Sequence, residues 1–145
     1  MRLLIFHVDS FACTITRKGR SPISETPSTP TCQIGNGLLV LASAEAGDEA
    51  DLESVSVGAA HEVEDLAKQL KVGEVMLMPF AHLFADPAPA PDALRLIEEV
   101  AAQLRGAGLA VEQPPFGWFH TWEMRAKGHP LARVARTIRP VPHAS

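Results

Sequence analysis

Two stretches whose apolar residues recur at helical spacing, set among short apolar runs that Gly and Pro cut off, predict an α/β fold. The expected form is a single mixed β-sheet with two main helices packed on it. A length of 145 residues fits a single domain, large enough to bury about two-thirds of the surface its unfolded chain exposes. The hydrophobic fraction of 46% and charged fraction of 21% are those of an ordinary globular domain. No internal repeat is visible.

Residues 2–9 form an apolar run that residues 11–16 continue with polar alternation, so a strand and its hairpin partner are expected. Residues 18–36 carry Pro22, Pro27 and Pro30 among many Ser and Thr and read as a long loop. A buried strand over 37–46 leads to an acidic turn at 47–53. Ser54 or Ser56 then caps a helix running to about Leu70, with Val57, Ala60, Val63, Ala67 and Leu70 on its apolar stripe. Gly73 ends the turn after it, and a strand over 74–78 stops at Pro79. Residues 85–91 (ADPAPAP) suit neither helix nor central strand, while Pro91 suits the first turn of the second helix. Leu94, Ile97, Ala101 and Leu104 form that helix's stripe, and Gly106 and Gly108 close it. Strands follow at 109–112 and 118–126. With period two, Trp118, His120, Trp122 and Met124 share one face of the longer strand, and Phe119, Thr121, Glu123 and Arg125 the other. Pro130 opens a short terminal helix over 131–138. The domain spans 1–138 and 139–145 is a frayed tail.

A net charge of −4 excludes a protein coated in basic surface, yet the charge is segregated. Fourteen of the seventeen acids lie between Glu45 and Glu112, whereas Arg125, Lys127, Arg133, Arg136 and Arg139 follow Glu123 with no acid among them. Arg17, Lys18 and Arg20 make a second cluster. Such segments either meet a phosphate backbone or are plain solvated surface. No apolar run approaches bilayer-spanning length, and the start, interrupted by His7 and Asp9, lacks a signal-peptide cleavage site. Cys13 and Cys32 form no CxxC pair, so a reduced cytoplasmic location without a structural disulfide is expected.

Groups able to do chemistry concentrate in two stretches. Residues 114–138 hold both tryptophans with His120 and His129, and residues 78–83 set His82 beside a Pro-Phe pair. These two stretches are expected to wall one pocket. Nucleophile-elbow and phosphate-loop motifs are absent. The histidines show no HxH or HxxxH spacing, so no metal and no cofactor is expected; the alternative is a zinc site assembled in space from His7, His82 and His120. His120 is the stronger catalytic candidate. An imidazole among Trp118, Trp122 and Met124 costs free energy unless partnered, and it titrates near neutral pH. His82 is the second candidate. For both, the competing reading is a hydrogen-bonded packing histidine. His129 reads as turn structure, and His61 and His143 are discounted.

The motifs PFAHL at 79–83, PFG at 115–117 and KGHPLA at 127–132, the last running on to Arg136-Thr137-Ile138, occur together with MRLLIFHVDSF at the start and Pro22-Ile23-Ser24-Glu25. In this order and spacing they make nearly the whole chain resemble the N-terminal editing domain of archaeal threonyl-tRNA synthetases, relatives of the D-aminoacyl-tRNA deacylases. The resemblance implies a D-aminoacyl-tRNA deacylase-like fold, freestanding or excised. It further implies a deacylase that hydrolyses serine mischarged on threonine tRNA. One missing methyl gives a synthetic site only about 1–3 kcal/mol of discrimination, so a second, hydrolytic sieve is needed.

On this resemblance the site lies where PFAHL and PFG meet. His120 and His82 position water, and His7, Phe80, Ala81, Phe116, Gly117, Phe119 and Arg133 contact the substrate. Arg125, Lys127 and Arg136 are the candidate tRNA contacts. The implied partners are the acceptor end of threonine tRNA, a second copy of the chain in a homodimer, and a threonyl-tRNA synthetase acting in trans, with no membrane. The chain also departs from its relatives. Archaeal domains carry Tyr-Lys where this chain has Phe119-His120, and a glutamate where it has Arg133. A phenol donor and an ammonium are thereby lost, although a neutral His120 can still orient or activate water. The Gly-Pro dipeptide by which D-aminoacyl-tRNA deacylases reject L-amino acids is absent, which favours an L-type pocket. The alternative is a non-catalytic or altered-specificity relative that binds tRNA 3′ ends or aminoacyl-adenosine-like ligands.

Overall fold

A computed structural model describes residues 1–27, 29–81, 83 and 86–141. Its elements are β1 (Arg2–Lys18), β2 (Thr31–Ile34), β3 (Gly37–Ser43), α1 (Leu52–Leu70), β4 (Glu74–Pro79), α2 (Ala90–Gly106), β5 (Ala110–Glu112), β6 (Trp118–Ala126) and β7 (Arg133–Thr137), with a 3₁₀ turn at Asp48–Ala50. The strands form one mixed sheet along the path β2-β1-β3-β4-β5, and β6 and β7 also pair with β1. The β3–β4 and β4–β5 pairs are parallel, and every pair made by β1 is antiparallel. This is the expected α/β domain with a mixed sheet and two helices.

The expected hairpin over 2–16 is instead one continuous strand. The first half of β1 pairs with β3 and β7; its second half pairs with β2 and β6. The polar Asp9-Ser10 pair that looked like a turn is a bulge: Val8 opposes Ala126 and Ser10 opposes Arg125, leaving Asp9 as the extra residue. That residue resets the alternation of side chains. Leu4, Phe6 and Val8 before it, and Phe11 and Cys13 after it, therefore join the same apolar cluster.

The two sheet faces bury different partners. Leu3, Ile5, Leu38, Val40, Val75 and Leu77 pack against α1 and α2. On the opposite face, Leu39, Leu41, Met76 and Met78 meet Val8, Phe11, Cys13 and Ile34, where the sheet curls and β2 contacts β4 and β5. Burial on both faces is why β3 and the middle of β4 read as unbroken apolar runs. On α1 the expected Ala60, Val63 and Ala67 are buried together with Val55, Ala59 and Leu66, whereas Val57 is half exposed. The cap is Asp51, whose carboxylate accepts from the Ser54 N–H at 3.1 Å, and not Ser54 or Ser56. Those two hydroxyls donate to the carbonyls of Asp51 and Glu53.

Two further expectations fail for tertiary reasons. Residues 133–137, expected within a terminal helix, are strand β7, laid along residues 2–6 of β1. The ladder offered by that open edge outweighs the local helical preference of the segment. Residues 31–34, expected within the long loop, are β2, held by the second half of β1. Among the described residues, no helix is long and apolar enough to cross a membrane. The C-terminal positions 142–145 lie outside the described residues.

The start of β1 is anchored by charge. Met1 is fully buried, and its α-ammonium lies 2.8 Å from the Asp48 carboxylate and 3.2 Å from that of Glu45, and donates to the Ile138 carbonyl at 2.8 Å. Asp48 itself is only 2% exposed. Removing one partner of a buried pair strands the other, so Asp48→Asn is expected to cost about 3 kcal/mol in urea unfolding. Glu45→Gln, at a more open partner, should cost about 1 kcal/mol or less. Equal losses in the two variants would contradict this account of the anchor.

Candidate functional site

Parallel strands β3 and β4 end side by side, the end at which open α/β sheets hold ligands. The chain after β4 folds back across β3: Phe80 N–H donates to the Ala42 carbonyl at 2.9 Å, and Ala88 N–H to the Ala44 carbonyl at 2.9 Å. A cavity of about 530 Å³ opens beside them. Ala42 lines it from β3 and Ala44 from just beyond, residues 78–81 from the end of β4 and the turn after it, Ala88 from the approach to α2, and Ala90, Ala93 and Ile97 from α2 itself. Residues 116–120 and Trp122 form the facing wall, and residues 19–22 the rim.

The facing wall is held by Glu25. Its carboxylate accepts from Phe116 N–H at 2.9 Å, its own N–H donates to the Phe116 carbonyl at 2.9 Å, and its carbonyl accepts from the Trp118 indole N–H at 2.8 Å. Gly117 turns the chain at φ +88°, where a Cβ would stand 2.7 Å from the Ile23 carbonyl oxygen and 2.9 Å from the Ser24 Cβ. Only glycine fits there. The Gly117 carbonyl in turn accepts from Gly19 N–H at 2.7 Å, which ties the rim to the wall.

His120 sits opposite Ile15 on β6. Its Nε2 is buried without a hydrogen-bond partner among the described residues. Burial pushes its pKa below the ordinary imidazole value of 6.5, so the ring is neutral at neutral pH. Trp118 has spent its indole N–H on Glu25, and Trp122 packs edge-on against Phe11 at 5.7 Å and tilted to Phe80 at 6.4 Å. A neutral ring nitrogen in an apolar cleft is suited to accepting a proton. The cysteines are not in the lining. They face each other across β1 and β2 as free thiols, and burial pushes the Cys13 thiol up to about 11, which leaves negligible thiolate. Among the described residues, no group of three or more His, Cys, Asp or Glu is placed to hold a metal ion.

Of the residues singled out in the sequence, Phe80, Ala81, Phe116, Gly117, Phe119 and His120 line this cavity. His82 lies outside the described residues. His7 and Arg133 are not in the lining. Arg133 is exposed at the start of β7, and His7 is buried in a hydrogen-bonded chain. Leu131 N–H donates to His129 Nδ1 at 3.2 Å, so the neutral His129 carries its proton on Nε2 and donates it to His7 Nδ1 at 2.8 Å. His7 Nε2 then donates to Asn36 Oδ1 at 2.9 Å. This chain fastens the KGHPLA loop to β1.

The basic candidates are each offset by an acid. Lys127 and Arg125 both bind Asp9, and these contacts, the Lys127 hydrogen bond foremost, hold the Asp9 carboxyl below its ordinary range. Arg136 lies 3.2 Å from Glu62. Sequence reasoning singled out Arg20 as part of a basic cluster but did not place it at the rim, and it missed Ser21, the clamp by Glu25 and the alanines of the floor. Glu25 lay within the Pro22-Ile23-Ser24-Glu25 motif, but alanines carry no signal of their own. Replacing Gly117 by alanine is expected to cost about 1–3 kcal/mol of stability, read by thermal unfolding, because the left-handed turn then carries a clashing Cβ. An unchanged Tm would remove the steric argument for this turn.

Residues 1–138 match the family model described as the Archaea-specific editing domain of threonyl-tRNA synthetase. The chain is 33% identical over 141 residues to the threonine–tRNA ligase of Methanopyrus kandleri, covering 97% of this chain and 22% of that protein. It is 36% identical over 143 residues to the ligase of Thermococcus onnurineus and 30% identical over 138 residues to that of Methanocaldococcus jannaschii, which cover 97% and 95% of this chain. It spans about a fifth of the length of these relatives, 22% in each case. The motifs PFG and KGHPLA thus stand in a chain that belongs to the family of threonyl-tRNA synthetase editing domains.

Proposed function

We infer that this protein is an aminoacyl-tRNA deacylase that proofreads threonine tRNA by hydrolysing mischarged serine. The observation that carries the reading is His120, a neutral imidazole that lines the cavity and whose buried Nε2 has no hydrogen-bond partner among the described residues, in a chain that matches the editing-domain family. The reaction needs little more than positioning and one proton acceptor. Water attacks the ester carbonyl carbon while His120 Nε2 takes its proton. The bond from that carbon to the ribose oxygen breaks, and the ribose oxygen is protonated as it leaves, giving free amino acid and uncharged tRNA. His82 is the proposed second group orienting the water. Phe80, Ala81, Phe116, Gly117 and Phe119 shape the space for the aminoacyl end, with His7 and Arg133 acting from outside the lining.

A general base contributes about a hundredfold or more, so His120→Ala should slow hydrolysis of seryl-tRNA for threonine by at least that factor. Hydrolysis by the wild type no faster than buffer would sink the deacylase reading and leave the non-catalytic relative that binds tRNA 3′ ends. The lowered pKa of His120 also sets the pH profile. A neutral base is active above its pKa, so the rate above background should rise with pH along a limb centred below 6.5 and stay flat through neutrality. A limb centred above 7 would point to a different base.

A homodimer fits the same reading. β6 is paired only along its β1 edge among the described residues and leaves Trp122 and Met124 half exposed on one face. Light scattering should give twice the 15.6 kDa chain mass; a single-chain mass at micromolar concentration argues against it. A threonyl-tRNA synthetase acting in trans and a cytoplasmic location follow from the translation role.

A further inference from the structure

The cations nearest the cavity are not those of the C-terminal run. Arg20 lines its rim beside Gly19, Lys18 stands opposite Trp118 in the β1–β6 ladder, and the Arg17 guanidinium lies 5.6 Å from the centroid of the Phe119 ring. All three cations are exposed, and no acid occurs in the sequence between Asp9 and Glu25. Among the described residues, none of the three is ion-paired, in contrast to Arg125, Lys127 and Arg136. Phe119 is both part of the cavity lining and 53% exposed, an aromatic face left uncovered next to fixed positive charge. On a chain of net charge −4, such a cluster is what keeps a polyanion from being repelled at this mouth.

We propose that Arg17, Lys18, Arg20 and Phe119 form the seat of a single-stranded RNA 3′ end. A base stacks on the open face of Phe119, whose ring Arg17 polarises, and backbone phosphates meet Lys18 and Arg20. The seat is rigidly placed relative to His120, because the Gly19–Gly117 hydrogen bond ties it to the same turn. The choice of RNA as occupant rests on the deacylase reading above.

The test is fluorescence anisotropy of a labelled, uncharged single-stranded RNA oligonucleotide ending in cytidine-cytidine-adenosine, titrated across a range of salt. Two phosphate contacts give a slope of log affinity against log salt of about −1.4, and Lys18→Ala with Arg20→Ala should bring it close to zero. Phe119→Leu, which keeps an apolar side chain but no flat ring, should weaken binding about tenfold without altering the slope. Arg95→Ala, at an exposed position of α2, should change neither. The proposal is overturned if the wild type does not bind the oligonucleotide, or if the Lys18/Arg20 variant keeps its affinity and slope. It is equally overturned if an acidic peptide or anionic lipid vesicles bind the same cluster more tightly. The RNA carries no ester, so this outcome is independent of hydrolysis. A wild type that fails to deacylate yet loses RNA binding in the Lys18/Arg20 variant would remove the proposed activity and leave the seat standing.

Discussion

The structure depends on one strand being hydrogen-bonded along both edges. An unpaired buried backbone group costs free energy comparable to a lost hydrogen bond, so a 17-residue strand must find partners along its length on either side. β1 finds four of them. Its first half takes β3, and through β3 the parallel strands and helices, and it takes β7 on the other edge. Its second half takes β2 and β6. β2, β3, β6 and β7 are thus positioned by where along β1 they attach, and β4 and β5 follow through β3.

The cavity follows from that arrangement. β3 and β4 end near one half of β1, while β6 leaves the other half, so segments that are distant in sequence are brought face to face. The turn at Gly117 and the clamp by Glu25 fix the facing wall before any ligand arrives. Within a lining that is mostly apolar away from Arg20 and Ser21 at the rim, His120 keeps a nitrogen that nothing described in the protein satisfies. Leaving a buried acceptor unmade costs about 1–3 kcal/mol, which a bound water or ligand recovers. The same desolvation holds the ring neutral, so the energetic defect and the chemical capacity have one cause.

Local signals made much of this legible in the sequence. The helical spacing behind α1 and α2, the stop at Pro79, and the alternation that puts Trp118, His120 and Trp122 on one face of β6 are all short-range. What was hidden is what β1 decides at long range. Asp9-Ser10 has the composition of a turn and becomes a bulge only because β6 runs alongside. Residues 133–137 have helical composition and become strand only because an edge of β1 awaits them. The C-terminal basic run looked free because Asp9 is more than a hundred residues away from Arg125 and Lys127 in sequence, 116 and 118 positions respectively. Ala42, Ala44 and Ala93 could not be read as cavity floor, because a methyl group announces nothing about what it faces.

The bulge at Asp9 has a consequence for how this chain can vary. Side chains on a strand alternate, so the extra residue acts as a parity bit between the two halves of β1. Substituting Asp9 alters two surface ion pairs, those with Arg125 and Lys127. Deleting it, or inserting one neighbour, would turn Phe11 and Cys13 outward and bring Ala12 and Thr14 into the apolar cluster. β1 is therefore open to changes of letter but closed to changes of length by one, and an insertion could survive there only in steps of two.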